Sequence, residues 1–208
     1  LCSEGKHFCA GNNFGSASRN EERADRKVEE GNPLYAAAVR LFDTKTPVIG
    51  AIQGAAVGGG FGLAVMPDFR VVCPEARFTA NFVKLGFHPG FGLTHTLPRL
   101  IGQQKASMLF LTGRRISGQE AFDIGLADVI TDKENLRAEA IKLAAEIAEN
   151  APLAVVSVRA TMRQGIAEAV QKQTDHEGLE QHRLQQTADH REGVKAVGER
   201  RPGNFIGA

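Results

Sequence analysis

Long apolar runs are missing from this 208-residue sequence, and none approaches the length that crosses a bilayer. Charge of one sign is not in excess either. The 25 Lys and Arg stand against 24 Asp and Glu, a formal net charge of +1, so there is no electrostatic case for nucleic acid or an anionic membrane surface. Cysteine is scarce. Cys2, Cys9 and Cys73 are odd in number and include no CxxC pair, which fits reduced thiols in an intracellular protein better than a disulfide framework. The 23 glycines make no G-x-G-x-x-G and no G-x-x-x-x-G-K-[ST], so the nucleotide fingerprints are absent. There is no G-x-S-x-G nucleophile elbow. His176, His182 and His190 are six and eight residues apart, which does not align them as an i, i+4 metal pair.

What is present reads as one domain, or one domain with a helical appendage, long enough to bury a real core. Asn13–Asn32 is polar and charge-rich and reads as a loop or solvated helix over a pocket mouth. Pro33–Thr44 has apolar residues at helical spacing, and Pro47–Ile52 is a short β-branched strand. Phe61–Met66 starts a short buried helix after a glycine run. Phe69–Cys73 and Ala76–Thr79 read as strands, Leu85–Gly92 as a Gly/Pro loop, and Gln104–Leu111 as a helix. Ser117 with Glu120 forms one capping box and Thr131 with Glu134 a second. Gly125–Ile130 reads as a terminal strand. Leu136, Ala140, Ile141, Ala144, Ile147 and Ala148 then make an apolar helical stripe, and Pro152 suits the first turn of the next helix. Lys172–Arg201 reads as one polar helix with few apolar anchors, suited to packing on another subunit. Strands alternating with helices, followed by a helical tail, argue for an α/β architecture.

Two glycine-bearing turns carry the chemistry. The first is Gly5-Lys6-His7-Phe8-Cys9-Ala10-Gly11-Asn12-Asn13. The second is Gly54-Ala55-Ala56-Val57-Gly58-Gly59-Gly60-Phe61-Gly62, directly after the apolar run Pro47–Ile52. Small residues in both would let backbone N–H groups from separate loops converge on one ligand oxygen, which is how an oxyanion hole is built.

These two motifs, in this order, resemble the crotonase (enoyl-CoA hydratase/isomerase) superfamily. Later echoes are Leu97-Pro98-Arg99-Leu100-Ile101-Gly102, Leu111-Thr112-Gly113-Arg114-Arg115-Ile116-Ser117-Gly118-Gln119-Glu120-Ala121, Gly125-Leu126-Ala127, and Glu192-Gly193 with Glu199-Arg200-Arg201-Pro202-Gly203-Asn204-Phe205. The resemblance implies a β-β-α spiral core over residues 1–130 holding an acyl-CoA site. It also implies a C-terminal helical region over 131–208 used for trimerisation, with a homotrimer or dimer of trimers as the assembly. Leu1-Cys2-Ser3 reads as the end of a buried strand, so further residues forming the start of the fold are expected ahead of it. No permanently bound cofactor is implied, only coenzyme A as part of the thioester substrate.

By motif position, the oxyanion donors would be the backbone N–H groups of Asn12 and Gly59, with Ala10, Gly11, Gly58, Gly60, Phe61 and Gly62 around the bound acyl group. The family's hydratases keep two glutamates, which would fall at Gly62 and Phe82, and some relatives place an aspartate at Gly90. None of the three positions carries a carboxylate here. General acid–base groups contribute about 10²–10⁴-fold each, so ordinary hydration is disfavoured. His88 is the titratable residue left in the corresponding loop, able to move a proton near neutral pH or simply to bond a nearby carbonyl. His95 and Asn81 are lesser candidates, with a helical or packing role for His95 and a turn role for Asn81 as alternatives. Phe61, Phe82, Phe87 and Phe91 flank these positions and suit either an apolar acyl pocket or the core. Lys6, Arg19, Arg23 and Lys27, or Lys195, Arg200 and Arg201, could meet CoA phosphates. Two functions follow: an enzyme working through an acyl-CoA enolate, or an acyl-CoA-binding homologue without catalysis.

Overall fold

The computed structural model describes residues 1–11 and 33–208. Asn12 and the polar segment that follows it lie outside the described residues. After helix α1 (Pro33–Phe42) the chain repeats one pattern twice. Strand β1 (Ile49–Ile52) turns into β2 (Ala55–Val57) and helix α2 (Gly59–Val65); strand β3 (Phe69–Val72) turns into β4 (Arg77–Thr79) and a 3₁₀ turn at Asn81–Leu85. Helices α3 (Leu93–Ile101) and α4 (Gln103–Thr112), strand β5 (Arg115–Ser117), helix α5 (Gly118–Asp123) and strand β6 (Val129–Ile130) complete the layered part.

The first members of each repeat stack as one sheet, ordered β1-β3-β6 and parallel throughout. The second members stack as another, ordered β2-β4-β5, with β5 antiparallel. The N-terminal residues lie alongside both sheets. Leu1 O accepts from Ala51 N at 2.8 Å, and Cys9 pairs with Ala56 in parallel. The result is a spiral of strand–strand–helix turns. Every residue of β1 is buried, as expected for a parallel strand covered on both faces. One continuous core joins Ile52, Phe61, Val71, Val72, Phe78, Leu97 and Leu126.

Helix α6 (Leu136–Ala148) covers the first sheet, packing on β1 and β3. Its inward stripe is Leu136, Ala140, Leu143 and Ile147, whereas Ile141 faces solvent. The capping box at Ser117 and Glu120 is formed in both directions. The expected box at Thr131 and Glu134 is not. A 3₁₀ turn (Lys133–Asn135) begins there instead, with Asp132 at its N-cap, and hands over to α6. The strand expected over Gly125–Ile130 shortens to two residues, because Gly125, Leu126 and Ala127 bond back onto α5.

The polar C-terminal segment differs from expectation. It is two helices, α8 (Ile166–Gln185) and α9 (Ala188–Gly198), which follow α7 (Pro152–Met162). Thr187 ends one and caps the other, its hydroxyl accepting from His190 N at 3.0 Å. Helix α8 packs on α1 and α3 of its own chain, and α9 packs on the Asn81–Leu85 turn. The buried face of α8 is Val170, Thr174, Glu177 and Gln181. Three of these are polar, which is why counting apolar anchors missed the packing.

Candidate functional site

At the end of β2 the backbone turns sharply at Gly58, with φ 58° and ψ −119°, a conformation that suits glycine. Its N–H donates to Thr79 O at 2.9 Å, and its carbonyl accepts from Phe61 N and Gly62 N. The turn is thus fixed to β4 on one side and to α2 on the other. The N–H groups of Gly59 and Gly60, in the first turn of α2, have no acceptor within the helix. The first glycine loop lies against the second. A Cβ on Gly60 would collide with Cys9 O, and one on Gly11 would stand 2.7 Å from Val57 O. Glycine at both positions lets the two loops meet. The structure brings Ala10, Gly11, Gly58, Gly59 and Gly60 together; the Asn12 donor falls outside the described residues.

Aromatic rings wall this turn. A Cβ on Gly58 would lie 3.7 Å from Phe82 Cζ and 3.9 Å from Asn81 Oδ1. A Cβ on Gly59 would lie 3.9 Å from Phe91 Cδ2. At Gly62 the space is filled, since a Cβ there would stand 2.6 Å from Cβ, Cγ and Cδ1 of Phe91. Phe91 reaches this place with φ 67°, a left-handed conformation that costs a non-glycine residue about 1–2 kcal/mol. Gly90 is similarly occupied: a Cβ would strike the Tyr35 hydroxyl and stand 2.6 Å from Gln181 Nε2. Phe61 is not part of this wall. It is fully buried, its ring centroid 5.5 Å from that of Phe78.

His88 is half-buried. Its Nδ1 lies 2.9 Å from Pro89 O, and its ring meets His176 edge-on at a centroid distance of 6.0 Å. The loop bearing it is pinned from α8, where Gln181 Nε2 donates to His88 O at 2.9 Å while Gln181 Oε1 accepts from the Tyr35 hydroxyl at 3.0 Å. His95 is half-buried, and burial, then Arg99, lowers its pKa.

Glu177 escaped the sequence reading. It is fully buried and accepts from Gly92 N at 2.7 Å, Thr94 N at 3.0 Å and Thr94 Oγ1 at 2.6 Å, so a carboxylate on α8 caps the N-terminus of α3. The one signal available was its i, i+4, i+7 spacing with Val170, Thr174 and Gln181. On the outer face of the second sheet is an open pocket of about 400 Å³, whose charged and polar lining is Lys6, His7, Glu75, Arg77, Arg115 and Lys133.

A spiral of strand–strand–helix turns that sets two glycine loops side by side defines an α/β protein in which the second glycine turn opens a helix with its first N–H groups free of intrahelical acceptors. The family described as enoyl-CoA hydratase/isomerase matches residues 1–208, and the chain belongs to that crotonase family of enzymes. It is 38% identical over 185 residues to a crotonyl-CoA hydratase of Syntrophomonas wolfei, covering 86% of this chain and 70% of that protein. It is 35% identical over 208 residues to an (E)-benzylidenesuccinyl-CoA hydratase of Thauera aromatica, covering 98% of this chain and 78% of that one. A solved enoyl-CoA hydratase/isomerase structure from Pseudoalteromonas atlantica T6c superposes with a TM-score of 0.84 at 28% identity, over 99% of this chain and 80% of that one. The spiral fold expected from the sequence is the fold of these neighbours. Among the described residues, no helix is long and apolar enough to cross a membrane.

Proposed function

We propose that this protein binds an acyl-CoA thioester with its carbonyl oxygen at the backbone N–H groups of Gly59 and Asn12, stabilises an enolate there, and does not use ordinary hydration as its reaction. The observation that carries the second half is the Phe91 ring in the space a side chain at residue 62 would need. With Phe82 on the other wall and Tyr35 and Gln181 filling the space at Gly90, no carboxylate stands at the three positions where relatives are expected to hold one. Relatives named as hydratases support the acyl-CoA substrate class. His88 is the titratable side chain to which proton transfer falls in this reading. The cations around the pocket that Lys6 lines supply counter-charge suited to CoA phosphates.

Residues 131–208 serve oligomerisation in this reading, as a homotrimer or dimer of trimers. Helix α7 leaves Leu153, Val158 and Met162 largely exposed, an apolar surface that a second copy would cover. The protein needs no resident cofactor and works inside the cell. The test is crotonyl-CoA hydration by the full-length protein, with calorimetric titration of a non-reactive acyl-CoA analogue alongside. Tight binding with negligible hydration supports altered chemistry, and loss of turnover on other thioesters in His88→Ala would assign the proton. Binding without turnover on any thioester would favour a non-catalytic acyl-CoA-binding protein. Brisk hydration would overturn the reading of Gly62 and Phe82.

A further inference from the structure

We propose that Phe91 determines the specificity of this site: its ring is the end wall of the acyl site and limits the substrate to short acyl groups. The inference rests on the thioester reading of the Gly58–Gly60 turn. Three observations carry it. The ring stands on Gly62 and reaches to within 3.9 Å of a Cβ at Gly59, so it packs against the turn that carries the proposed carbonyl donor. It is held there by a backbone φ of 67° at a non-glycine residue, between Gly90 and Gly92. A left-handed phenylalanine persists only when the surrounding structure over-determines it. The surroundings do so. Phe91 is buried in a cluster with Tyr35, Phe42, Met66 and Val170, and the Tyr35 ring meets it edge-on at 6.5 Å. The ring is therefore a fixed wall, not a swinging gate.

Phe82 is the ring nearest Gly58 and Phe91 the ring nearest Gly59, so two aromatic side chains flank the turn, and a short alkyl tail lodged between them would gain apolar contact.

The experiment uses the full-length protein and a series of unreactive S-alkyl-CoA thioethers, ethyl through octyl, with free CoA as reference. Affinities are measured by calorimetry for wild type, Phe91→Ala and Phe91→Leu. Wild-type affinity should stop rising after the shortest members. In Phe91→Ala it should keep rising by about fourfold per added methylene, the transfer value for a buried CH₂, with Phe91→Leu between the two. Free CoA should bind all three alike. Should Phe91→Ala not fold, as judged by its thermal melt, Phe91→Leu decides. The same chain-length profile in wild type and variants would overturn the role of Phe91 while leaving the thioester site intact. No binding of any thioether or of CoA to wild type would instead overturn the thioester reading beneath it.

Discussion

The Glu177 carboxylate accepts the Gly92 backbone N–H at 2.7 Å, tying the C-terminal helix α8 to the first residue ahead of α3. The same group takes both donors of Thr94, so the loop carrying His88, Gly90 and Phe91 ends at a fixed post. Removing the acceptor strands two backbone N–H groups that have no other partner among the described residues. Glu177→Ala is expected to cost about 2–6 kcal/mol, since each buried unsatisfied donor costs about 1–3 kcal/mol. A urea titration of wild type and variant measures this; an unchanged midpoint would show the cap to be dispensable.

Glu177 also has a pH signature. Burial pushes its carboxyl above the ordinary range, against the Thr94 and Gly92 donors that pull it down. The folded state then holds the proton more tightly than the unfolded chain. Wild-type stability should therefore fall as pH rises from the usual glutamic acid range through the raised value, and level off above it. Glu177→Gln, which cannot ionise, should lack that slope. Parallel slopes in the two proteins would mean that the donors cancel the effect of burial, and an opposite slope in wild type that they outweigh it.

Much of this arrangement is legible in the amino-acid sequence. Pro47–Ile52 announces a short strand through its β-branched residues, and four residues of that segment form β1; the glycine runs announce two tight turns. Ser117 and Glu120 announced their helix because a capping box is purely local. Contacts between distant residues were not legible. Nothing in the string says that Phe91 adopts a left-handed φ and lands on Gly62, or that Tyr35 fills the space beside Gly90. Helix α3 was hidden because Gly90, Gly92 and Pro98 imitate a loop, and its cap comes from Glu177, far along the chain. Strands β2 and β5 have three residues each, too few to show a period.

Asp68 joins the layered core to the C-terminal helices. Its Oδ2 accepts from Val48 N at 2.8 Å and Arg159 Nε at 2.9 Å, and its Oδ1 from Arg163 Nη1 at 3.0 Å. Both guanidiniums are largely shielded, and Arg159 also donates to Thr44 O. Asp68→Asn keeps the shape but leaves two shielded cations without a counter-charge, for which about 3 kcal/mol of lost stability is expected. By contrast, Glu4→Gln breaks only the exposed pair with Arg137 and should leave the midpoint in place. Equal losses in the two variants would contradict the burial argument.

The C-terminal tail is fastened by Glu192. Arg201, then the Asn204 N–H, holds its carboxyl down at about 2. A depressed pKa stabilises the tail above the usual carboxylate range, and that contribution fades as pH falls from there toward 2. Carbon-detected NMR titration should give a Glu192 midpoint near 2, and amide exchange at Asn204 should quicken over the same span. In Glu192→Gln the exchange should be fast at every pH. A midpoint in the ordinary glutamic acid range would dissolve the clasp.

Hydration offers the sharpest reversal. Gly62→Glu alone should bring none, because the new side chain collides with Phe91 at 2.6 Å and overpacking of this kind costs about 1–3 kcal/mol. Phe91→Ala opens the space, and Phe82→Glu places a second carboxylate on the wall beside Gly58. The triple variant should hydrate crotonyl-CoA at least about 10²-fold faster than wild type, the low end of what one acid–base group contributes, read as loss of the enoyl thioester absorbance. Gly62→Glu with Phe91→Ala should fall between. A triple variant that binds the thioether series yet hydrates no faster than wild type would show that the missing carboxylates are not what separates this site from a hydratase.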